Sequence, residues 1–227
     1  MIICFSGVPG AGKSYDPVKK ILDNLKLGRT IFTNVDGLDN PVCREHIKLY
    51  TGLDDYQLDT QLIFLTPDKI VRFWETEKVN AGTEFESEKL ICEKGSLIVI
   101  DEVHKWFNCR DWQTEKNRKF ADWASTHRHD GYDVLLVTQD LEKVDKQLRS
   151  LVEWTYVYRK VNFLGSLVKN SYICYAYSGD DTSGKPLANA KKFYDKRVFA
   201  CYQSHTSKDI KELQIMTHAN ILRHPVF

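Results

Sequence analysis

An α/β domain with a mainly parallel central sheet, helices on both faces and an antiparallel extension near the carboxyl end is the fold that this sequence predicts. Short apolar runs alternate with segments of helical period up to about residue 150. A glycine-rich segment joins the first apolar run to the first helical segment. Beyond residue 150, aromatic-rich segments of alternating polarity follow one another, which is typical of antiparallel strands.

Length and composition limit the possible functions. The chain has 227 residues, enough for one large domain with a sizeable core. Its 32 basic and 31 acidic residues nearly cancel, so the net charge gives no case for nucleic-acid binding, although a local basic patch stays possible. Six cysteines without a C-x-x-C pair favour reduced thiols over a zinc site. We expect no signal peptide and no membrane span, because no uncharged apolar run reaches about 18 residues.

The first strand, residues 1–5, leads into an octet that fits G-x-x-x-x-G-K-[ST], the phosphate-binding P-loop. The octet consists of Gly7, Val8, Pro9, Gly10, Ala11, Gly12, Lys13 and Ser14. Its glycines let successive N–H groups point at a phosphate, and the following helix presents its positive N-terminus there. We expect the octet and Tyr15 to bind nucleotide, Lys13 to contact the β- and γ-phosphates, and Ser14 to ligate Mg²⁺.

Between the P-loop and the next landmark the pattern is less regular. The sequence predicts a strand at residues 30–35, loop and short helix over 38–60, and a short strand at 61–65. A helix is expected to begin near Pro67, and residues 75–95 are expected to form a solvated helix or a surface excursion.

A second landmark is the run of four apolar residues at 97–100, which predicts a strand buried on both faces. It ends in Asp101 and Glu102, the Walker B arrangement. We expect Asp101 to hold Mg²⁺ and Glu102 to act as the base for the attacking water; the alternative is a solvated acidic turn. The stretch from Asp101 to His104 also resembles the DExH box of helicases, which we discount because such helicases use two RecA-like lobes.

Three further residues could contact a γ-phosphate. A helix is predicted over residues 113–127, and we expect Arg128 at its end to lie near the carboxyl edge of the sheet. There it is a candidate arginine finger in its own or a neighbouring subunit, or a member of a local salt bridge. Gln139 follows the predicted strand 133–137, and we expect it to sense the γ-phosphate or to position water. Arg149, on a predicted short helix, is a second candidate finger.

The remainder predicts strands at residues 153–158, 172–177 and 198–202, with an exposed loop at 179–192. Aromatic residues beside Arg159 and Lys160 could bind single-stranded DNA by stacking; the alternative is a half-buried antiparallel extension of the sheet. A final short helix is expected around three apolar residues, Ile210, Leu213 and Met216.

Several of these stretches together resemble the zonular occludens toxin (Zot) family, which includes the assembly ATPase of filamentous phages. They are the P-loop with Tyr15, the Asp101–Glu102 pair followed by aromatic residues, residues 126–131 (Thr-His-Arg-His-Asp-Gly), Thr138–Gln139, and residues 196–205 (Lys-Arg-Val-Phe-Ala-Cys-Tyr-Gln-Ser-His). The resemblance runs from residue 1 to about residue 207.

The resemblance implies a P-loop NTPase of the RecA and FtsK/HerA-like type that works as a ring. It implies ATP and Mg²⁺ as cofactors, and phage single-stranded DNA and coat or assembly proteins as partners. Members lie on the cytoplasmic face of the bacterial inner membrane and continue into a transmembrane helix and a periplasmic part, neither of which we expect within these 227 residues. We therefore expect an ATPase domain at residues 1–207 (core 1–150, extension 151–207) and a tail at 208–227.

The residues and the resemblance together predict Mg²⁺-dependent ATP hydrolysis that powers phage assembly and DNA extrusion. One alternative is a P-loop kinase for a small acceptor, although the Glu102 base and the lack of an arginine-rich lid speak against it. Another is a GTPase, which lacks support because no Asn-Lys-x-Asp signature occurs. A nucleotide-binding assembly scaffold with little turnover stays open.

Overall fold

The computed structural model describes residues 1–160 and 171–203. Ten strands and eight α-helices alternate along this part of the chain. The strands are β1 (Ile2–Ser6), β2 (Ile31–Thr33), β3 (Leu62–Phe64), β4 (Thr76–Val79), β5 (Ser87–Leu90), β6 (Leu97–Ile100), β7 (Asp133–Thr138), β8 (Trp154–Lys160), β9 (Ser171–Ser178) and β10 (Ala188–Phe193). The helices are α1 (Tyr15–Lys26), α2 (Pro41–Thr51), α3 (Asp55–Gln61), α4 (Pro67–Ile70), α5 (Val103–Trp106), α6 (Glu115–Thr126), α7 (Lys146–Arg149) and α8 (Lys196–Ala200).

Eight of the strands form one sheet in the order β10-β9-β8-β1-β7-β6-β2-β3. The six strands from β8 to β3 in this order are parallel to one another. β9 pairs antiparallel with β8, and β10 antiparallel with β9. The predicted α/β fold with a mainly parallel sheet and an antiparallel extension is confirmed. Because β7 lies between β1 and β6, the carboxyl ends of these three strands are neighbours at one edge of the sheet, here called the carboxyl edge.

Helices cover both faces of the sheet. On one face, Ile3 and Phe5 of β1 pack in a core with residues of α1, α2, α3 and α8. On the other face, Ile2 and Cys4 pack in a second core with residues of α4 to α7. The strand β6 is buried on both sides, as its unbroken apolar run predicts.

Arg29 ties the amino ends of the strands together. Its guanidinium donates to the carbonyl oxygens of Gly95, Ser96 and Gly131. It also donates to Asp133 Oδ2 at 2.6 Å, and this carboxylate pairs in turn with the N-terminal ammonium of the chain. The edge opposite the P-loop is therefore fixed by a network centred on one side chain.

The structure corrects two predictions in the first half of the chain. Residues 75–95 contain no helix; β4 and β5 form a two-stranded hairpin there, so the surface excursion is the correct alternative. Its residues are largely exposed on both faces, which removes the polarity alternation that marks a half-buried strand. Residues 38–60 hold two helices, α2 and α3, rather than one short helix in a loop.

Two predictions in the extension are wrong. Residues 188–193 of the expected loop form the edge strand β10, whose Ala, Asn and Lys residues have little strand preference. Residues 198–202 lie in and just beyond the helix α8 rather than in a strand. The Asp195 carboxylate accepts a hydrogen bond from the Arg197 N–H at 2.9 Å and caps this helix.

The expected helix around Ile210, Leu213 and Met216 and the tail at 208–227 lie outside the described residues. No helix in the described part of the chain is both long and apolar enough to span a bilayer.

Candidate active site

The P-loop occupies the turn between β1 and α1, at the carboxyl edge of the sheet. Gly10 and Gly12 have φ angles of 72° and 89°, in the left-handed region that favours glycine. A Cβ on Gly7 would lie 2.9 Å from the carbonyl oxygen of Tyr158 in β8. The three glycines of the motif therefore meet steric requirements that other residues do not meet without strain.

Side chains from three neighbouring strand ends converge beside the P-loop. Lys13 is buried, and its Nζ lies 3.8 Å from Oε1 of Glu102, just after β6. Gln139, just after β7, donates from Nε2 to the same oxygen at 2.8 Å. Three residues singled out from separate parts of the sequence thus meet at one carboxylate.

The second oxygen of Glu102 is in a different situation. Its Oε2 is buried and makes no hydrogen bond with any part of the chain that the structure describes. Nε2 of His104 lies 3.3 Å away, and Nδ1 of the same ring lies 3.0 Å from Thr138 Oγ1. Burial lowers the pKa of His104, although the Glu102 charge opposes this shift, so the imidazole is neutral near pH 7. Glu102 keeps a free lone pair, which suits a proton acceptor.

Glu102 also has an unusual backbone, since its φ of 51° puts a non-glycine residue in the left-handed region. Such conformations cost of order 1–3 kcal/mol and occur mainly where the surroundings enforce them. Here the Glu102 N–H donates to Asp101 Oδ1 at 2.9 Å, which helps to fix the turn.

Asp101 is held through its backbone by a residue that sequence reasoning missed. The Asp101 N–H donates to Oδ1 of Asn34 at 2.7 Å, and Nδ2 of Asn34 donates to the Asp101 carbonyl at 3.1 Å. Asn34 follows β2, the strand next to β6. A polar residue after a neighbouring parallel strand was the available signal, but the sequence does not say which strands are neighbours. The contact between His104 and Thr138, at the end of β7, was missed for the same reason.

The residues at this site fit a nucleoside triphosphate with a divalent cation. Burial, with a further contribution from the Glu102 charge, raises the pKa of Asp101 to about 6. A carboxylate that is costly to ionise gains from a nearby cation, and Ser14 at the start of α1 adds a hydroxyl ligand of the type that Mg²⁺ prefers. The P-loop backbone and Lys13 supply the donors that phosphates need.

Water can reach the carboxylates from the side of β2 and β3. A cavity of about 360 Å³ opens there against Asp101 and Glu102, with Trp106 and Lys105 on its wall. One water takes about 30 Å³ in the liquid, so the cavity has room for several.

The first turn of α1 is anchored to the antiparallel extension. The buried Asp16 carboxylate accepts hydrogen bonds from Tyr158 of β8 and Tyr172 of β9, both at 2.6 Å, and from Lys192 of β10 at 2.8 Å. Burial and the Asp16 charge raise the pKa of both tyrosines, so they stay protonated donors. The Tyr15 hydroxyl accepts a hydrogen bond from the Asp195 N–H at 2.7 Å. The side chain of Tyr15 is therefore part of this anchor.

The extension also contacts the P-loop directly. The hydroxyl of Tyr194 lies so close to Gly12 that a Cβ there would collide with it. The Tyr194 ring packs edge-on against Tyr15 and Phe199, with centroid distances of 5.0 and 4.7 Å.

The two candidate arginine fingers do not lie near the P-loop of their own chain. Arg128 precedes β7 and Arg149 precedes β8, so both are at the amino ends of the parallel strands. Arg128 pairs with Glu153 at 2.5 Å. The expectation that Arg128 lies near the carboxyl edge is wrong, because the helix α6 runs back across the sheet before β7 begins. This position does not favour a contact with the γ-phosphate of its own chain, and a contact with that of a neighbouring subunit stays a prediction.

Comparison with known proteins agrees with the fold and the motifs. The family model described as zonular occludens toxin (Zot) matches residues 1–209. The chain belongs to the Zot family. The resemblance to this family that the sequence indicates is thereby confirmed.

Two relatives show how much of the family this chain covers. The Gene 1 protein of Enterobacteria phage f1 is 32% identical over 155 residues, which are 67% of this chain and 40% of that protein. The Gene 1 protein of Xanthomonas phage phiLf is 28% identical over 211 residues, 90% of this chain and 44% of that protein. The Zot-family chain therefore spans less than half the length of these relatives.

A solved structure is similar to this Zot-family fold. The N-terminal domain of zonular occludens toxin from Neisseria meningitidis superposes with a TM-score of 0.54, at 22% identity, over 89% of this chain and 98% of that chain. At this identity the similarity concerns the fold alone.

Proposed function

We propose that this Zot-family chain is a P-loop ATPase domain whose Mg²⁺-dependent ATP hydrolysis powers phage assembly and DNA extrusion at the bacterial inner membrane. The observation that carries the proposal is the convergence of Lys13, Gln139 and Glu102 beside the P-loop. The distances of 3.8 Å from Lys13 and 2.8 Å from Gln139 to Glu102 Oε1 bring a cation, a carboxylate and a neutral donor to one point.

In this mechanism the Glu102 carboxylate accepts a proton from the water that attacks the γ-phosphate. Gln139 holds one carboxylate oxygen, Oε1, and so orients the base. Lys13 offsets the negative charge that develops on the phosphate oxygens. The P-loop amides and the N-terminus of α1 bind the phosphates in both ground and transition states.

Ser14 and Asp101 would hold Mg²⁺, and the metal would neutralise phosphate charge when bound. Asn34 sets the orientation of Asp101 through its two backbone hydrogen bonds. Tyr15 contributes its backbone position at the start of α1, since its side chain belongs to the anchor.

The wider context rests on the family. The Gene 1 relatives come from phages, so phage single-stranded DNA and coat or assembly proteins are the partners that we propose. We propose further that the domain works as a homo-oligomeric ring at the cytoplasmic face of the inner membrane, anchored through a segment outside this sequence. In a ring, Arg128 on the amino edge of one subunit is the candidate finger for the next.

The test is steady-state phosphate release from ATP and GTP by wild type, Lys13→Ala and the matched control Lys20→Ala, whose lysine lies exposed on the same helix. We expect Mg²⁺-dependent release by wild type and Lys20→Ala, none after chelation with EDTA, and none by Lys13→Ala. Phosphate release that is faster with ATP than with GTP would identify ATP as the preferred substrate.

Two outcomes would contradict the proposal. Tight ATP binding by wild type with no release would favour the scaffold. Phosphate transfer to a small acceptor in place of water would favour the kinase.

A further inference from the structure

One face of the antiparallel extension combines cations with aromatic rings and is covered by no helix of the part of the chain that the structure describes. We call it the basic–aromatic face; its members are Val157, Arg159, Ile173, Tyr175, Lys191 and Phe193. It lies on the side of the sheet opposite α1, beyond the helices α5 to α7 that cover the central strands.

The strand register puts these side chains together. Arg159 pairs with Ile173, which pairs with Lys191 on its other side. Val157 and Tyr175 form the next row. Partners directly opposite in a sheet point the same way and alternate residues share a face, so Phe193, two residues after Lys191, belongs to the same surface.

The rings of Tyr175 and Phe193 each have a cation beside them. The Arg159 guanidinium carbon lies 5.3 Å from the Tyr175 ring centroid, and Lys191 Nζ lies 5.5 Å from that of Phe193. Arg159 and Lys191 are exposed, and Phe193 is 70% exposed. The six side chains include two positive charges and no negative charge, although the chain as a whole is nearly neutral.

The opposite face of the same strands is fixed to the body of the protein. Tyr158, Tyr172 and Lys192 point to that side and bond to Asp16 of α1. The basic–aromatic face is therefore preorganised by these contacts, and this lowers the entropic cost of binding a ligand on it.

The face also adjoins the nucleotide site. Ser6, the last residue of β1, pairs with Val157, and the P-loop begins at the next residue. Gly7 packs against the backbone of Tyr158, one residue before Arg159. A ligand on this face would thus lie next to the strand that carries the P-loop.

We propose that the basic–aromatic face binds single-stranded nucleic acid, with bases stacked on Tyr175 and Phe193 and phosphates held by Arg159 and Lys191. Open sheet faces with exposed aromatic residues accept unstacked bases, and arginine or lysine beside the rings attracts the backbone. The two rings are about 14 Å apart along the strand direction, from four residues at about 3.4 Å each, so they stack on non-adjacent bases. This inference deepens the proposed function and rests on it only for the choice of DNA over RNA.

The aromatic part is tested by fluorescence anisotropy of a labelled oligodeoxythymidylate with the nucleotide-free protein. We expect Phe193→Ala and Tyr175→Leu each to weaken binding by about fivefold or more, the lower end of the stacking contribution per base. The matched control is Phe85→Ala, which removes a phenylalanine that is 76% exposed on the β4–β5 hairpin and leaves affinity unchanged.

The charged part is tested through the salt dependence of the same affinity. Arg159→Gln and Lys191→Gln are each expected to reduce the slope of log affinity against log salt by about 0.7, the value for one contact with a single strand. Lys20→Gln on α1 is the control and leaves the slope unchanged.

No binding of the oligonucleotide by wild type, or losses no larger than those of the two controls, would overturn the proposal. So would binding to phosphatidylglycerol vesicles that depends on these four residues while the oligonucleotide does not bind, because the face would then recognise an anionic lipid surface. Competition by oligouridylate at equal strength leaves the proposal standing and makes the face indifferent to the sugar.

The same variants separate this inference from the proposed function. Their ATP hydrolysis without DNA is expected to match wild type, because none of the substituted residues lies in the catalytic set. If wild type binds the oligonucleotide as described but hydrolyses no ATP, the proposed function fails and the nucleic-acid surface stands.

Discussion

Glu102 is held on one carboxylate oxygen and has no hydrogen-bond donor on the other among the described residues. Gln139 donates to Oε1 and so fixes the orientation of the carboxylate that we propose as the base. The His104 ring near Oε2 is neutral near pH 7, because burial lowers its pKa, so it adds no positive charge beside the carboxylate.

We predict that Gln139→Ala lowers kcat for ATP hydrolysis by about fivefold to tenfold with little change in ATP affinity. A hydrogen bond to a charged group contributes about 1.5–3 kcal/mol, and the exposure of this one puts it at or below the lower end. Steady-state kinetics and equilibrium binding of a fluorescent ATP analogue give the two quantities. Gln147→Ala on α7 is the control, and an unchanged kcat in Gln139→Ala would show that Gln139 does not orient the base.

Arg29 gives a second residue-level prediction, on stability. Arg29→Lys retains the charge but loses the planar fork that donates to three carbonyls and Asp133. We expect the free energy of unfolding to fall by about 1–3 kcal/mol in urea titrations at pH 7, against no resolvable change for Arg118→Lys on the exposed side of α6.

Part of the difference in the free energy of unfolding between wild type and Arg29→Lys is expected to depend on pH. Burial works to raise the pKa of Asp133, but hydrogen bonds from Arg29 and the N-terminal ammonium outweigh it and hold the pKa below its ordinary value of 3.8. A lowered pKa stabilises the fold above the unfolded value, and this contribution is lost as the pH falls through the folded one. The gap between wild type and Arg29→Lys therefore narrows below about pH 4; a gap that widens there would contradict the assignment.

Among the elements, α1 and the antiparallel extension behave as one unit. Asp16 collects one donor from each of β8, β9 and β10, and Tyr194 packs on Gly12. A displacement of the first turn of α1 would therefore also displace the strands of the extension.

We predict that Asp16→Asn lowers the free energy of unfolding by about 2 kcal/mol or more, because two buried hydroxyls and an ammonium lose their shared anion. ATP affinity falls as well, since the residue lies two positions after Ser14. The control is Asp23→Asn on the same helix, whose exposed pair with Lys19 contributes less than about 0.5 kcal/mol. Equal losses in the free energy of unfolding for Asp16→Asn and Asp23→Asn would show that the hydrogen bonds of Asp16 contribute no more than an exposed ion pair.

Two elements of the extension, α8 and β10, could not be predicted from the local sequence pattern. Residues 198–202 carry aromatic residues that favour a strand, but the Asp195 cap and the burial of Val198 and Cys201 on one face produce a helix. The edge strand β10 has exposed side chains that give no alternating pattern. In both places contacts with the rest of the chain, which the local pattern does not contain, decide the structure.

For the whole molecule, the parallel core could be predicted because its signals are local. The P-loop glycines and the apolar run before Asp101 each report a strand end directly. Strand order is not local: only with β7 between β1 and β6 does Gln139 reach Glu102, and only the return of α6 across the sheet puts Arg128 at the amino edge. The site was thus predictable as a set of residues, but its contacts through Asn34 and His104 were not.

The role of Glu102 as the base of an ATPase is tested by single-turnover hydrolysis of radiolabelled ATP by Glu102→Gln. The amide keeps the size and the contact with Gln139 but cannot accept the proton. We expect ATP affinity close to that of wild type and a hydrolysis rate that is lower by at least about 100-fold, the smallest usual contribution of a general base. A rate within a few fold of wild type would contradict the claim and leave the carboxylate without a catalytic role.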